Sequence, residues 1–98
     1  MLATIALSFL AGVLGGNAIP HFVKGITHES YPNVFGGSPL SNFLAGWFGF
    51  VTAAGLLYLA RPGSHAVASF TAGMIGVLVM GLFHAVHGAF GRTPEKKG

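Results

Sequence analysis

Three long apolar runs, separated by two short polar stretches, make up most of the chain. About 20 apolar residues at a rise of about 1.5 Å per residue cross the roughly 30 Å hydrocarbon core of a bilayer as a helix. The pattern therefore predicts an all-α integral membrane protein in which residues 1–98 form a single membrane domain. Transmembrane helices are expected at about 2–22, 39–60 and 65–90, with a loop at 25–38 and a polar tail at 91–98.

Local signals set the expected helix ends. Pro20 has no amide hydrogen and its ring opposes the carbonyl of Gly16, so we expect the first helix to kink or end just before it. Ser38-Pro39 predicts the start of the second helix, because the hydroxyl can act as N-cap and a proline is tolerated at the first helical position. Arg61-Pro62-Gly63 predicts its end. Among the loop residues, Tyr31, Val34 and Phe35 are expected to fold back onto the protein or to lie at the membrane interface.

Small residues recur every fourth position along each predicted helix. Such stripes let two helix backbones approach closely, and helix packing in membranes depends on close contact of this kind. The predicted Gly/Ala-mediated packing positions are Ser8, Gly12, Gly16, Ala45, Gly49, Ala53, Gly73, Gly81 and Ala85. Because a three-helix bundle has only a few internal seams, part of this small-residue surface is left over, and we expect it to mediate association with other chains.

Composition supports the membrane assignment. The chain is 52% hydrophobic and 7% charged, whereas a soluble domain draws on about 25% charged residues to cover its surface. The formal net charge of +3 comes from residues in the loops and tail. Lys24, Arg92, Lys96 and Lys97 lie on one side of the predicted membrane, against Arg61 on the other, and the side richer in Lys and Arg is normally cytoplasmic. The predicted orientation is N-out/C-in, in the inner membrane, with the lipid bilayer as the main partner.

Three predicted spans bring four histidines, His21, His28, His84 and His87, to the same membrane face, and place His65 on the other. His84 and His87 are three residues apart on one helical face, and His21 could supply a third nitrogen. The candidate cofactor-binding residues are therefore His21, His84 and His87. This cluster could bind metal or haem, handle protons, or contact a quinone. Alternatively, these are ordinary interfacial side chains without a cofactor.

Other chemistry is excluded or unsupported. The chain contains no cysteine, which excludes thiolate chemistry and Cys-ligated clusters. Glu29 and Glu95 are its two acidic residues, so no carboxylate pair is available for acid–base catalysis. No phosphate-binding glycine motif and no basic face is present, and we expect neither an enzyme nor a nucleic-acid-binding protein.

The junction Asn17-Ala18-Ile19-Pro20-His21-Phe22, followed by Asn42 and Trp47 early in the second helix, resembles a pattern in small uncharacterised bacterial membrane proteins with three spans. The resemblance covers about the first half of the chain. It implies a complete bacterial protein, and it carries no known activity, cofactor or catalytic residue.

Taken together, these patterns favour a structural or interaction role. The protein is expected to act as a homo-oligomer or as an accessory subunit of a larger inner-membrane complex. The alternative is a membrane site in which the histidine cluster of the cytoplasmic face handles quinone or protons, or binds metal or haem.

Overall fold

The structure, a computed structural model, describes residues 1–89. Helix α1 spans Leu2–Ile26, α2 spans Pro39–Ala60 and α3 spans Ala66–His87, with one turn of 3-10 helix at Gly63–His65 leading into α3. No β-strand is present in this part of the chain, which confirms the predicted all-helical class. The expected end of the third helix near residue 90 and the polar tail 91–98 lie outside the described residues.

All three helices are long and apolar enough to cross a membrane, which fits a multi-pass membrane protein. The distribution of side chains agrees with this assignment. Large apolar side chains point outward, as Tyr58 at 82% exposure and Val67 at 81% show, whereas the interior holds alanine, serine, asparagine and histidine. In water this arrangement would leave most of the apolar surface unburied, but in a bilayer those side chains face lipid.

Helix α1 is the centre of the fold. It packs against both α2 and α3 over much of its length, whereas α2 and α3 scarcely touch each other. The two outer helices, α2 and α3, therefore both pack on α1, and a gap remains between them along part of the length of α1.

The contact between α1 and α3 depends on glycine. A side chain at Gly12 would overlap the backbone of Gly73, and one at Gly76 would overlap the backbone carbonyl of Phe9. One helical turn before Gly12, the hydroxyl of Ser8 forms a buried hydrogen bond with the hydroxyl of Ser69. The backbones thus meet with no side chain between them at this crossing.

The contact between α1 and α2 also uses small residues. A Cβ added at Gly49 would lie 2.7 Å from the Cβ of Ala18, and one at Gly46 would lie 2.6 Å from the backbone nitrogen of Phe22. At the opposite end of the pair, Thr4 Oγ1 donates a 2.7 Å hydrogen bond to the carbonyl of Ala60.

Helix α1 continues through Pro20 to Ile26, so of the two outcomes expected at the proline, a kink or an end, the end is wrong. The turn after Pro20 packs against α2, where Phe22 lies on Gly46 and Gly25 lies on Phe43. This packing holds the helical conformation although one backbone hydrogen bond is missing, as is common for prolines in membrane helices. The expected start of α2 is confirmed, because Ser38 Oγ accepts a 3.1 Å hydrogen bond from the amide of Ser41.

The positions predicted for helix packing divide into three groups. Those at or beside helix contacts are Ser8, Gly12, Gly16, Gly49, Ala53 and Gly73. Ala45 lines a cleft between α2 and α3. The remaining two lie outside the helix contacts within the monomer, since a Cβ added at Gly81 would meet no atom within 4 Å and Ala85 is exposed.

Candidate functional site

A buried histidine and a buried asparagine join α1 to α2 at the end of the bundle that carries the long loop. His21 is 5% exposed and Asn42 is fully buried. The imidazole Nδ1 lies 2.7 Å from the side-chain oxygen of Asn42. His21 occupies the turn after Pro20, so this pair exists only because α1 continues past the proline.

Asn42 also fixes the loop. Its amide nitrogen lies 2.9 Å from the carbonyl oxygen of Tyr31, 3.1 Å from that of Gly37 and 2.9 Å from that of Ser38. Because three carbonyls surround this nitrogen, it must be the donor, and the side-chain oxygen of Asn42 must be the acceptor toward His21. The imidazole therefore carries its proton on Nδ1 in the neutral state, and its Nε2 is left with a free lone pair.

The loop folds back over this pair. The ring of Tyr31 meets His21 edge-on, with 5.4 Å between ring centroids. Asn33 closes a tight turn by accepting a 2.6 Å hydrogen bond from the amide of Phe35. Gly36 and Gly37 have φ values of +112° and +83°, a conformation that glycine adopts without the steric cost of a Cβ.

A second histidine approaches from α3. The rings of His84 and His21 are 6.1 Å apart, edge to face. His84 Nδ1 lies 2.9 Å from the carbonyl oxygen of Met80, which can only accept, so this nitrogen donates. His84 Nε2 is buried and has no hydrogen-bond partner among residues 1–89. A buried polar atom without a partner costs about 1–3 kcal/mol, so this atom is a point of unmet hydrogen-bonding capacity beside His21.

Next to these residues lies a cleft of about 740 Å³, within the roughly 300–1,000 Å³ typical of small-molecule sites. Its walls come from all three helices and from the loop. The polar lining residues are Asn17, His21, Asn33 and Ser41. The apolar ones are Leu14, Val34, Phe35, Leu44, Ala45, Phe48, Met80 and Phe83.

The polar groups of this cleft differ in whether they are already paired. The amide nitrogen of Asn33 donates to Ser41 Oγ over 3.2 Å, and that hydroxyl donates to the carbonyl of Ser38 over 3.0 Å. Asn17 makes no side-chain hydrogen bond in the described part of the chain, although its side chain lines the cleft. Within residues 1–89, Asn17, the second amide hydrogen of Asn33 and the Nε2 of His21 are thus left free to meet a ligand.

A small charged cluster joins the last turn of α1 to the loop. Lys24 Nζ and Glu29 Oε1 are 3.2 Å apart, and Thr27 Oγ1 donates a 2.7 Å hydrogen bond to the other oxygen of Glu29. The Thr27 hydroxyl, followed by the Lys24 ammonium, holds the pKa of Glu29 below its usual value. The ammonium also lies 5.7 Å from the centre of the Tyr31 ring.

The histidines predicted to form one cluster are only partly brought together. His21 and His84 are neighbours, whereas His87 is exposed and its ring lies against Phe83 at 5.7 Å. His28 is an exposed loop residue with φ of +59°. Within residues 1–89 no three histidine or acidic side chains are placed to hold one metal ion.

Sequence reasoning missed most of the polar framework of this site. In the sequence, Asn42 stands out only through its resemblance to a pattern, and nothing singles out Asn33 or Ser41. A signal was present for Asn42, because a polar amide inside an otherwise apolar span needs internal partners. No comparable signal marked Asn33, which lies among other polar loop residues.

Comparisons of the chain with protein-family models, with curated proteins and with solved structures find no match. What the site can do therefore has to be judged from its own geometry and chemistry.

Proposed function

We propose that this protein binds an amphipathic, lipid-soluble small molecule in the cleft between α2 and α3. The observation that carries the proposal is the position of the polar lining residues along the cleft. His21, Asn33 and Ser41 lie at the loop end, while Leu14, Phe48 and Met80 lie one or more helical turns further along their helices. This order suits a ligand with a polar head at the loop and an apolar tail toward the membrane interior.

The arrangement of the helices gives such a ligand a route of entry. Since α2 and α3 scarcely touch each other, a lipid-soluble molecule could enter sideways from the bilayer. The distribution of Lys and Arg supports an N-out/C-in orientation, which puts the head-group end on the cytoplasmic side of a bacterial inner membrane. The role proposed is binding without catalysis, in line with the lack of a carboxylate pair.

Photo-crosslinking tests the proposal. The purified protein, reconstituted in nanodiscs, is labelled with a long-chain alcohol that carries a diazirine in its chain, and the modified residues are mapped by mass spectrometry. Labelling should concentrate on cleft residues such as Leu44, Phe48 and Met80. Ala45→Phe fills the cleft and should reduce this labelling about tenfold, whereas Ala54→Phe, on the lipid-facing side of the same helix, should leave it unchanged.

Two outcomes would contradict the proposal. Labels spread evenly over lipid-facing residues such as Leu57 and Val67 would show that the probe samples only the bilayer. Equal labelling of wild type and Ala45→Phe, with both variants folded by circular dichroism, would show that the cleft is not the binding place.

A second candidate function is association, as a homo-oligomer or as an accessory subunit of a larger membrane complex. The supporting observation is the small-residue stripe of α3 at Gly81 and Ala85, which is exposed within residues 1–89 and would let another helix approach closely. Native mass spectrometry of the protein from mild detergent tests this role. A discrete oligomer that Ala85→Phe dissociates would support self-association, and a monomer in both cases would argue against it.

A further inference from the structure

We infer that the head group bound beside His21 carries a hydroxyl, and that this hydroxyl donates its hydrogen bond to His21 Nε2. The inference rests on the proposed function of the cleft and specifies the chemical class of its ligand. It follows from which polar groups at the head-group end are donors and which are acceptors.

The first step is the protonation state that the structure imposes on His21. Asn42 directs its amide nitrogen to three backbone carbonyls and so offers only its oxygen to the imidazole. That oxygen requires a proton on Nδ1. In the neutral ring Nε2 is then an acceptor. Asn42 is fully buried, and if its amide turned over, the side-chain oxygen would face three backbone carbonyls, none of which can donate to it.

The second step is that no group within residues 1–89 donates to this nitrogen. The Nδ1–H of His84 donates to the carbonyl of Met80, so the Nε2 of His84 is also an acceptor. One amide hydrogen of Asn33 is directed to Ser41, and the hydroxyl of Ser41 is directed to Ser38. The amide of Asn17, one helical turn from His21, and the second amide hydrogen of Asn33 are not committed to a partner in this part of the chain, and they can pair with an acceptor on the ligand.

The third step is complementarity. Because the Nε2 of His21 is satisfied by a donor, and a hydroxyl can also accept from the amide of Asn17, an alcohol or a phenol fits better than a ketone, an ester or an ether. The apolar lining, which includes the rings of Phe35, Phe48 and Phe83, can hold either a branched aliphatic chain or an aromatic ring. Two sources share this chemistry: long-chain alcohols of the prenol type, and alkylated hydroquinones.

Competition against the photoreactive alcohol distinguishes hydroxyl recognition from simple apolar binding. Farnesol is compared with its methyl ether, and a decyl-substituted hydroquinone with its dimethyl ether. Each hydroxyl compound should compete about five- to tenfold better than its ether, the range expected for one hydrogen bond. The pair with the larger ratio identifies which of the two sources the site prefers.

A matched pair of variants assigns the effect to His21. In His21→Asn the amide nitrogen can take the place of Nδ1 and keep the bond to Asn42, but nothing replaces Nε2. Because the photoreactive probe is itself an alcohol, this variant should label the same cleft residues about five- to tenfold less strongly at equal probe concentration. It should also lose the preference for hydroxyl over ether. His87→Asn makes the same change at an exposed histidine of the same bundle end and should keep the preference.

The possible failures are distinct. If labelling concentrates in the cleft but ethers and hydroxyl compounds compete equally in the wild type, the hydroxyl inference is wrong and the proposed binding function stands. If His21→Asn retains the preference, the acceptor is not His21 and the inference is also wrong. If labelling never concentrates in the cleft, the proposed function itself fails.

Discussion

The two halves of α1 differ in how they meet α3. In the N-terminal half, Ser8 and Gly12 bring the backbone of α3 into direct contact and leave no space. In the C-terminal half, Asn17 and His21 line a cleft of about 740 Å³ between the outer helices. Small residues let α1 and α3 touch at the first position, whereas beside the cleft α1 keeps its close contact with α2, where Phe22 lies on Gly46. One helix thus provides both a tight structural contact and a site.

The largest expected effect comes from adding one methyl group at the close crossing of α1 and α3. In Gly76→Ala the new Cβ would overlap the carbonyl of Phe9, so we expect a loss of about 2–3 kcal/mol in the free energy of unfolding. Unfolding by SDS titration, followed by circular dichroism, measures it. Gly81→Ala, in the same helix but with no atom within 4 Å of the added Cβ, should be neutral or slightly stabilising. Equal losses in both variants would show that the crossing at Gly76 is not tight.

A smaller and more local effect on stability is expected at the end of the bundle that carries the cleft. Asn42→Leu removes the group that joins His21 to the loop. It should destabilise the protein by about 2 kcal/mol, because the carbonyl of Tyr31 and the imidazole N–H of His21 lose their partner, whereas the carbonyls of Gly37 and Ser38 keep backbone donors. Faster hydrogen exchange at loop residues 31–37 should accompany the loss. Asn17→Leu is the matched control, since the Asn17 side chain makes no hydrogen bond in residues 1–89, and it should leave both measurements unchanged. Unaltered loop exchange in Asn42→Leu would contradict the role given to Asn42.

The smallest effect concerns pH and the loop outside the spans. Because the pKa of Glu29 is lowered by Thr27 and Lys24, the folded loop favours the ionised carboxylate. Its contribution is present above the usual carboxyl pKa and is lost as pH falls through the lowered value. The thermal midpoint of the wild type should therefore exceed that of Glu29→Gln slightly near neutral pH, and the two should converge below about pH 4. A difference that persists in acid would mean that Glu29 acts through something other than its charge.

Much of the architecture is readable from local sequence. The three apolar runs specify three helices, since each is long enough to cross a bilayer and is bounded by turn-forming residues. The Ser38-Pro39 start of α2 was predictable because an N-cap acts within one turn. Pro20 shows where local reasoning fails. The proline predicted a break, but contacts of Phe22 and Gly25 with α2 keep the helix intact.

The site itself was less predictable. Topology alone indicated that His21 and His84 would reach the same end of the bundle, and the structure places their rings 6.1 Å apart. The pairing of His21 with Asn42 depends on the rotation and relative height of α1 and α2, which no pattern within either helix specifies. The same holds for the gap between α2 and α3, because it arises from how both pack on α1.

By itself, the sequence determined the number of helices, their membrane-spanning length and the small residues available for close contact, because hydropathy and residue size act locally along the chain. Only the tertiary structure decided which small residues meet, that Asn42 holds the proton of His21 on Nδ1, and that a cleft opens beside it. Those features are relations between helices. They depend on the few ångströms of rotation and translation that packing fixes and that no single segment encodes.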